Sequence, residues 1–261
     1  MELYQVDSFT HVPFRGNPAA VCISDKQLND NVMQQIAMEM NLSETAFLNK
    51  GDGFSSLRWF TPATEVTLCG HATLAAAYVL FSKQYLAENE EHRFKTASGE
   101  LRVWQPEIEW LAMDFPLIQT QNSEIPLWIG EHFENVCSFA TTEKNDIVEL
   151  PHPDAVTDFR PDFALISRHT RQGLIITAKG NNGTDFVSRY FVPNVGVPED
   201  PVTGSAHCEL AHFWQKRLQQ NQFKAYQASA RGGYVGVKIT GDRVELKGQA
   251  TLVFETKLEL E

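Results

Sequence analysis

Positive charge is what this chain is short of. Lysine and arginine together number 22 against 33 aspartates and glutamates, a formal charge of −11. Faces that bind nucleic acid are built from clustered cations, so that class of partner is disfavoured. The acidic excess itself speaks to solubility and names no cationic ligand. Long apolar runs are also lacking, and none approaches the ~18 residues needed to span a membrane. The amino-terminal MELYQVDSF has no positive-then-apolar signal pattern. The four cysteines (Cys22, Cys69, Cys137, Cys208) are scattered, with no C-x-x-C pair among them. Together these absences predict a cytoplasmic protein with free thiols, partnered by neither membrane nor nucleic acid.

Familiar loops are missing as well. No Walker A, G-x-S-x-G or post-strand G-x-G-x-x-G is present, so nucleotide-loop and serine-hydrolase readings lose their usual support. His207-Cys208 with His212, and Cys69 with His71, do not have zinc-site spacing, so no metal is expected.

What the chain does have is an internal echo. RWFTPATEVTLCGHATLA begins at Arg58, and RYFVPNVGVPEDPVTGSAHCELA begins at Arg189. Arg58, Phe60 and Pro62 match Arg189, Phe191 and Pro193 at one constant offset, and Gly70 and Ala72 then pair with Gly204 and Ala206. The pattern predicts a duplicated unit. In each copy a short strand (Leu57–Phe60, Val187–Val192) leads through a Pro-containing loop to Gly and then a helix. The first helix, over about Ala72–Tyr85, is apolar nearly all round and so is expected to be buried on all sides. The second, about Ala206–Leu218, turns basic at Lys216 and Arg217, as suits a helix C-terminus.

Strand-like runs surround these helices. The first half offers Glu2–Val6, Ala19–Ile23, Ala46–Leu48, Leu101–Trp104 and Leu111–Phe115. The second offers Ala164–Ile166, Leu174–Ala178, Gly233–Ile239, Arg243–Leu246 and Gln249–Glu255, the last two reading as a hairpin or meander. Many strands around one buried helix, twice over, predict an α+β protein of two barrel-like domains. The turn-rich Gln119–Pro126 suggests a boundary, giving domains 1–118 and 119–261.

A helix N-terminus presents unpaired N–H groups and partial positive charge, which suits an anion. Gly70 and Gly204 allow a ligand close to that backbone, so two such ends facing a cleft would hold a carboxylate. Several nearby side chains have two readings. Glu44, in NLSETAFL, is either a solvated residue at the edge of an element or a carboxylate at an apolar rim with a raised pKa, fit for acid–base work. His71 is either a satisfied core histidine or, held neutral in the first turn of a helix, a hydrogen-bond partner or proton relay. Cys69 is either an ordinary buried thiol or a thiolate base favoured by the helix end. Asp200 is either a turn residue or a pocket carboxylate. Thr203 and Ser205 read as N-caps that can also bind a ligand carboxylate. Phe14, Trp59, Tyr190 and Tyr226 are candidates for shaping the pocket, and the glycine-rich ARGGYVGV forms either a loop or a tight strand crossing.

Taken in order, VDSFTHVPFRGNPAAV (Val6–Val21), NLSETAFL, RWFTPATEVTLCGHATLAAAYVL and VPEDPVTGSA resemble the PhzF-like family of phenazine-biosynthesis-type isomerases, which share the diaminopimelate epimerase fold. The likeness runs the length of the chain. It implies a cofactor-independent, homodimeric enzyme that migrates hydrogen on a small carboxylate-bearing substrate, with its active site between two domains. By motif, Glu44 takes the place of the family's catalytic glutamate, and His71 and Asp200 those of residues assisting binding and proton transfer. Ser205, Thr203, Gly204 and Gly70 correspond to carboxylate-binding positions, and Asn17 to a substrate contact. Related two-cysteine epimerases place a thiol at each helix end. Cys69 matches the first of these, but no cysteine stands at the second. Two alternatives therefore stay open: an epimerase or racemase using Cys69 with Asp200, and a non-catalytic small-molecule-binding protein on the same scaffold.

Overall fold

The chain opens as two strands, β1 (Glu2–Ser8) and β2 (Asn17–Ser24), folded back on each other from Glu2↔Ile23 to Ser8↔Asn17. Their turn closes at Gly16, φ +63°, where a Cβ would stand 2.1 Å from the Ser8 carbonyl oxygen, so only glycine fits. Helix α1 (Asp30–Met40) follows, with the Asn29 side chain accepting from Asn31 N–H at its start and Asn41 left-handed at its end. It carries the chain to β3 (Glu44–Lys50), which lies parallel to β2. Strands β4 (Ser55–Phe60) and β5 (Glu65–Val66) run antiparallel in turn. Helix α2 (Gly70–Ser82) then crosses to β6 (His92–Thr96), parallel to β4. A meander of β7 (Gly99–Glu107) and β8 (Trp110–Pro116) completes the run. This computed structural model describes residues 1–50, 55–87 and 90–259.

Two compact units divide the chain: Met1–Phe115 with Leu246–Glu261, and Pro116–Glu245. The second unit begins with β9 (Gln121–Ser123), α3 (Leu127–His132), β10 (Ser138–Thr141) and β11 (Asn145–Glu149). Short helices α4 (Pro153–Thr157) and α5 (Phe163–His169) cross to β12 (Gly173–Lys179), parallel to β11. β13 (Phe186–Val192) and β14 (Val197–Asp200) are antiparallel, and α6 (Gly204–Leu218) crosses to β15 (Gln222–Gln227), parallel to β13. β16 (Gly233–Thr240) and β17 (Arg243–Gly248) follow, and β18 (Ala250–Lys257) returns to pair with β1.

The expected duplication therefore holds at the level of topology. The path β2–α1–β3–β4–β5–α2–β6 recurs as β11–α4–α5–β12–β13–β14–α6–β15, with the same parallel and antiparallel steps. Even the echo's side chains repeat their contacts. Arg58 forks onto Glu65 (Nε–Oε1 2.7 Å, Nη2–Oε2 2.7 Å) and lies over the Phe60 ring. Arg189 forks onto Glu199 (2.8 and 2.9 Å) and lies over Phe191. Each ion pair latches the strand to the segment that leads into the central helix.

In the first unit, α2 is buried on every side, with Leu74, Ala75, Ala76 and Ala77 wholly covered. The strands pair in the succession β18–β1–β2–β3–β4–β6–β7–β8, and α2 packs on β1, β2, β3, β7 and β18. The outer face of the sheet is closed by α1, whose Met33, Ile36 and Ala37 meet Leu3, Cys22, Phe47 and Phe60. In the second unit α6 buries Leu210, Ala211, Phe213 and Trp214, and Phe186 stacks on Trp214.

Three expectations need correction. Ala164–Ile166 lies in helix α5, not in a strand, because Asp162 caps it by accepting from Leu165 N–H. Gln119–Pro126 is not a bare linker: Gln121–Ser123 forms β9 against β10, and the units divide after Phe115. Nor does residue 119 open a domain that runs to the end of the chain. Leu246–Glu261 belongs with the first unit, because β18 pairs with β1.

Candidate active site

Parallel pairing of β2 with β3 aligns Ala19 with Glu44, so Asn17 and Ser43 fall at the same end of the two strands. The N-terminus of α2, packed on those strands, brings Cys69, Gly70 and His71 to that end. The imidazole of His71 is buried, and its two nitrogens face different neighbours. Nδ1 is 3.2 Å from Asn17 Nδ2 and 3.5 Å from Cys69 Sγ. Nε2 is 3.2 Å from Glu44 Oε2 and 3.3 Å from Ser43 Oγ. The Asn17 amide has its Oδ1 toward the Ser43 hydroxyl at 3.4 Å, which leaves its NH₂ to donate to Nδ1. That network assigns the neutral tautomer, with the proton on Nε2 and directed toward Ser43.

Glu44 occupies the first position of β3, with its side chain 20% exposed. Burial pushes its pKa up, while hydrogen bonds from Ser43 and Cys69 pull the other way. Its Oε2 lies within ion-pair distance of His71 but lacks a hydrogen bond of good geometry. The backbone beneath is fixed, with Ser8 Oγ donating to the His71 carbonyl at 2.7 Å and Thr73 Oγ1 to that of Cys69 at 2.6 Å. Asn17, Glu44, Cys69, Gly70 and His71 thus form one cluster. Within it, ligand-type atoms of Glu44, Cys69 and His71 all lie within 4.8 Å of one another.

In the second unit Asp200 ends β14, Thr203 is the N-cap of α6, and Gly204 is its first residue. The N-cap expectation for Thr203 is met in position but not in bonding. Its side chain accepts no first-turn N–H and donates instead to Asp200 Oδ2. Ser205 is not a cap at all but an exposed residue inside the first turn. Cys69 is the matching cap of α2 and likewise takes no first-turn N–H with its side chain. Buried Gln227 ties the second cluster together, accepting from Thr203 N–H at 2.9 Å and donating to the Asp200 carbonyl at 2.7 Å.

Sequence reasoning did not find Ser43, Gln227 or Glu209. Glu209, buried on α6, accepts from Asn145 Nδ2 at 2.8 Å and from Thr142 Oγ1 at 3.3 Å, and burial raises its pKa to about 7. Asn145 in turn accepts from the Tyr190 hydroxyl at 2.9 Å. The one available signal was a charged residue inside an otherwise covered helix stripe. Among the aromatic candidates, Trp59 and Tyr190 are core residues, Tyr226 is half-buried against Tyr234, and Phe14 is 73% exposed. ARGGYVGV resolves into strand β16 preceded by Gly232, φ +66°, packed against the Tyr226 hydroxyl. His207 is fully buried and donates from Nδ1 to the Thr203 carbonyl at 2.7 Å, while His212 accepts from Thr120 N–H at 2.9 Å.

Residues 6–256 match the family model described as phenazine biosynthesis-like protein. An uncharacterized isomerase of Halalkalibacterium halodurans is 42% identical over 271 residues, covering 99% of this chain and 98% of its own. The crystal structure of a PhzF-family phenazine biosynthesis protein from Enterococcus faecalis superposes with a TM-score of 0.94 at 39% identity, covering 99% of each chain. A probable proline racemase from Agrobacterium radiobacter, 11% identical, covers 100% of this chain and 93% of its own with a TM-score of 0.64, which shows a shared fold. The fold is accordingly the α+β, diaminopimelate epimerase-like one that the sequence motifs pointed to. This chain belongs to the phenazine biosynthesis-like (PhzC-PhzF) protein family.

Proposed function

We propose that the protein is a PhzF-like isomerase that moves a proton between carbons of a small carboxylate-bearing substrate without a cofactor. The observation carrying this reading is Glu44: a mostly covered carboxyl with its pKa raised by burial, one oxygen left without a well-formed hydrogen bond, and His71 Nε2 beside it. A carboxyl held above its ordinary range exchanges protons readily near neutral pH, acting first as base and then as acid. Glu44 takes a proton from a carbon acidified by a neighbouring carboxylate or enamine, and returns it at a second carbon. His71 Nε2, 3.2 Å from Glu44 Oε2, tightens to a hydrogen bond that steadies the carboxylate between the two transfers. Each unit by itself offers a carboxylate site in the first-turn N–H groups of its central helix, at Gly70 in α2 and at Gly204 and Ser205 in α6, since neither cap side chain claims them. Asp200, held by Thr203, is the acid–base candidate of the second unit. Close similarity to a relative named an isomerase supports the reaction class. Assembly as a cytoplasmic homodimer belongs to the same reading, and light scattering checks the oligomeric state.

The test is incubation of a metabolite pool in D₂O. Wild-type protein should place carbon-bound deuterium in a substrate, and Glu44→Gln should not. If Glu44→Gln leaves the exchange intact, the mechanism is wrong. The hydrogen bond from Cys69 to Glu44 favours a second reading, a one-thiol epimerase. That reading predicts that Cys69→Ala abolishes exchange while Glu44→Gln spares it. Tight ligand retention with no isotope exchange would identify a binding protein.

A further inference from the structure

We propose that Glu44, Cys69 and His71 together form a binding site for a divalent cation of the zinc class, and that its occupation silences the proton transfer. The silencing rests on the function proposed above; the binding does not.

Three observations support the site. The first is scale. Zinc bonds to sulfur at about 2.3 Å and to nitrogen or oxygen at about 2.0–2.2 Å, so tetrahedral neighbours stand roughly 3.3–3.7 Å apart. Here His71 Nε2 and Glu44 Oε2 are 3.2 Å apart, and the donor atoms of Glu44, Cys69 and His71 all lie within 4.8 Å of one another, so a small inward turn of the Cys69 side chain completes the set. The second is donor type. One thiol, one imidazole and one carboxylate suit zinc and its neighbours, and not magnesium or calcium, which call for oxygen alone. The third is Glu44 Oε2, which has no well-formed hydrogen bond among the described residues and would gain a partner from the cation. The donors are also preassembled, because hydrogen bonds from Ser8 and Thr73 pin the backbone at His71 and Cys69.

Binding through Nε2 moves the ring proton to Nδ1. The Asn17 amide, turned over, then presents its oxygen to that N–H, as outer-shell partners of metal-bound histidines do. Cys69 binds as thiolate and releases its proton to solvent, as does Glu44 when it enters protonated, so affinity rises with pH. The exposed side of Glu44 is the way in. Spacing along the chain did not reveal this set because two donors sit at the head of α2 and the third on β3. With its free oxygen on the cation, Glu44 cannot accept a substrate proton, and a chelator restores it.

The test is a cobalt(II) titration of the Cys137→Ser protein, from which the exposed thiol has been removed. Saturation at one equivalent is expected, with a thiolate-to-cobalt band in the near ultraviolet and tetrahedral bands in the visible. Both should be lost when Cys69→Ser is added, and binding should weaken with Glu44→Gln. Zinc should also raise the thermal midpoint of the Cys137→Ser protein, and should not do so once Cys69→Ser is added. Failure to bind one equivalent, or a charge-transfer band that survives Cys69→Ser, overturns the proposal. Neither readout needs substrate, so the metal site and the isomerase reading stand or fall separately.

Discussion

Two buried ionisable groups on α6 pull the stability of the protein in opposite directions as pH changes. Glu209, with a pKa of about 7 against an ordinary 4.5, keeps in the folded state a proton that the unfolded chain sheds between those values. Its contribution is therefore present at low pH and lost as pH rises through 7. His207 behaves conversely. Burial lowers its pKa to about 4 from 6.5, so the unfolded chain binds a proton that the fold excludes, and stability is lost as pH falls from 6.5 to 4. Each difference is about 2.5 in pKa, worth about 3 kcal/mol at ~1.36 kcal/mol each. The two slopes nearly cancel across pH 4.5–6.5, and the wild type should look almost indifferent to pH there. Glu209→Gln keeps the acceptor for Asn145 and removes the charge, which unmasks the histidine slope. Urea unfolding followed by tryptophan fluorescence should find the variant equal to wild type near pH 4.5 and more stable by about 3 kcal/mol above pH 7. A difference between the two proteins that stays constant with pH would refute the reasoning.

The two arginine latches offer a matched pair of substitutions. Glu199→Gln, beside buried Arg189, should cost about 3 kcal/mol, whereas Glu65→Gln, beside the more exposed Arg58, should cost under about 1, both read by denaturant melts. Leu74→Ala, at a wholly covered position of α2, should cost about 3 kcal/mol by the same assay. Because burial raises the Glu44 pKa, the acid limb of kcat/KM should lie above the ordinary carboxylate range, with activity falling as pH drops through it. An acid limb left in place in Glu44→Ala would remove Glu44 as its source.

How legible the molecule was in its sequence depended on the range of the forces involved. Helix α2 could be read because ten of its thirteen residues are buried, so no polar stripe interrupts the apolar run. The echo could be read because glycine and proline punctuate both copies alike. Helix α1 was missed although Met33, Ile36 and Ala37 form its buried face, because Asp30, Asn31, Gln34 and Gln35 dilute the pattern. Ala164–Ile166 was misread because a short apolar run fits strand or helix equally, and only the Asp162 cap decides between them. Asn17 entered through resemblance to a family, whereas NLSETAFL itself offered Glu44 as one of two readings, and what places both beside His71 is the pairing of β2 with β3 and the docking of α2. Glu209 gave only the faint signal of a charge within a covered helix stripe, since its partners Thr142 and Asn145 lie on a strand hairpin far away along the chain.

The return of the last strand makes the second unit an insertion within the first, with consequences for synthesis. Residues Pro116–Glu245 are continuous and can collapse as soon as they leave the ribosome. The first unit cannot close at that stage: β1, made first, waits with one edge bare until Ala250–Lys257 arrives to pair with it. An unpaired edge is a template for wrong pairings with other chains, and the wait lasts for the whole synthesis of the intervening unit. Once β18 docks, the amino group of Met1 donates to the Leu258 carbonyl at 3.1 Å, so the start of β1 and the end of β18 meet. Joining those ends with a short peptide and reopening the chain between the units would let each unit be made in one piece, relieving the delay that the natural order of the chain imposes.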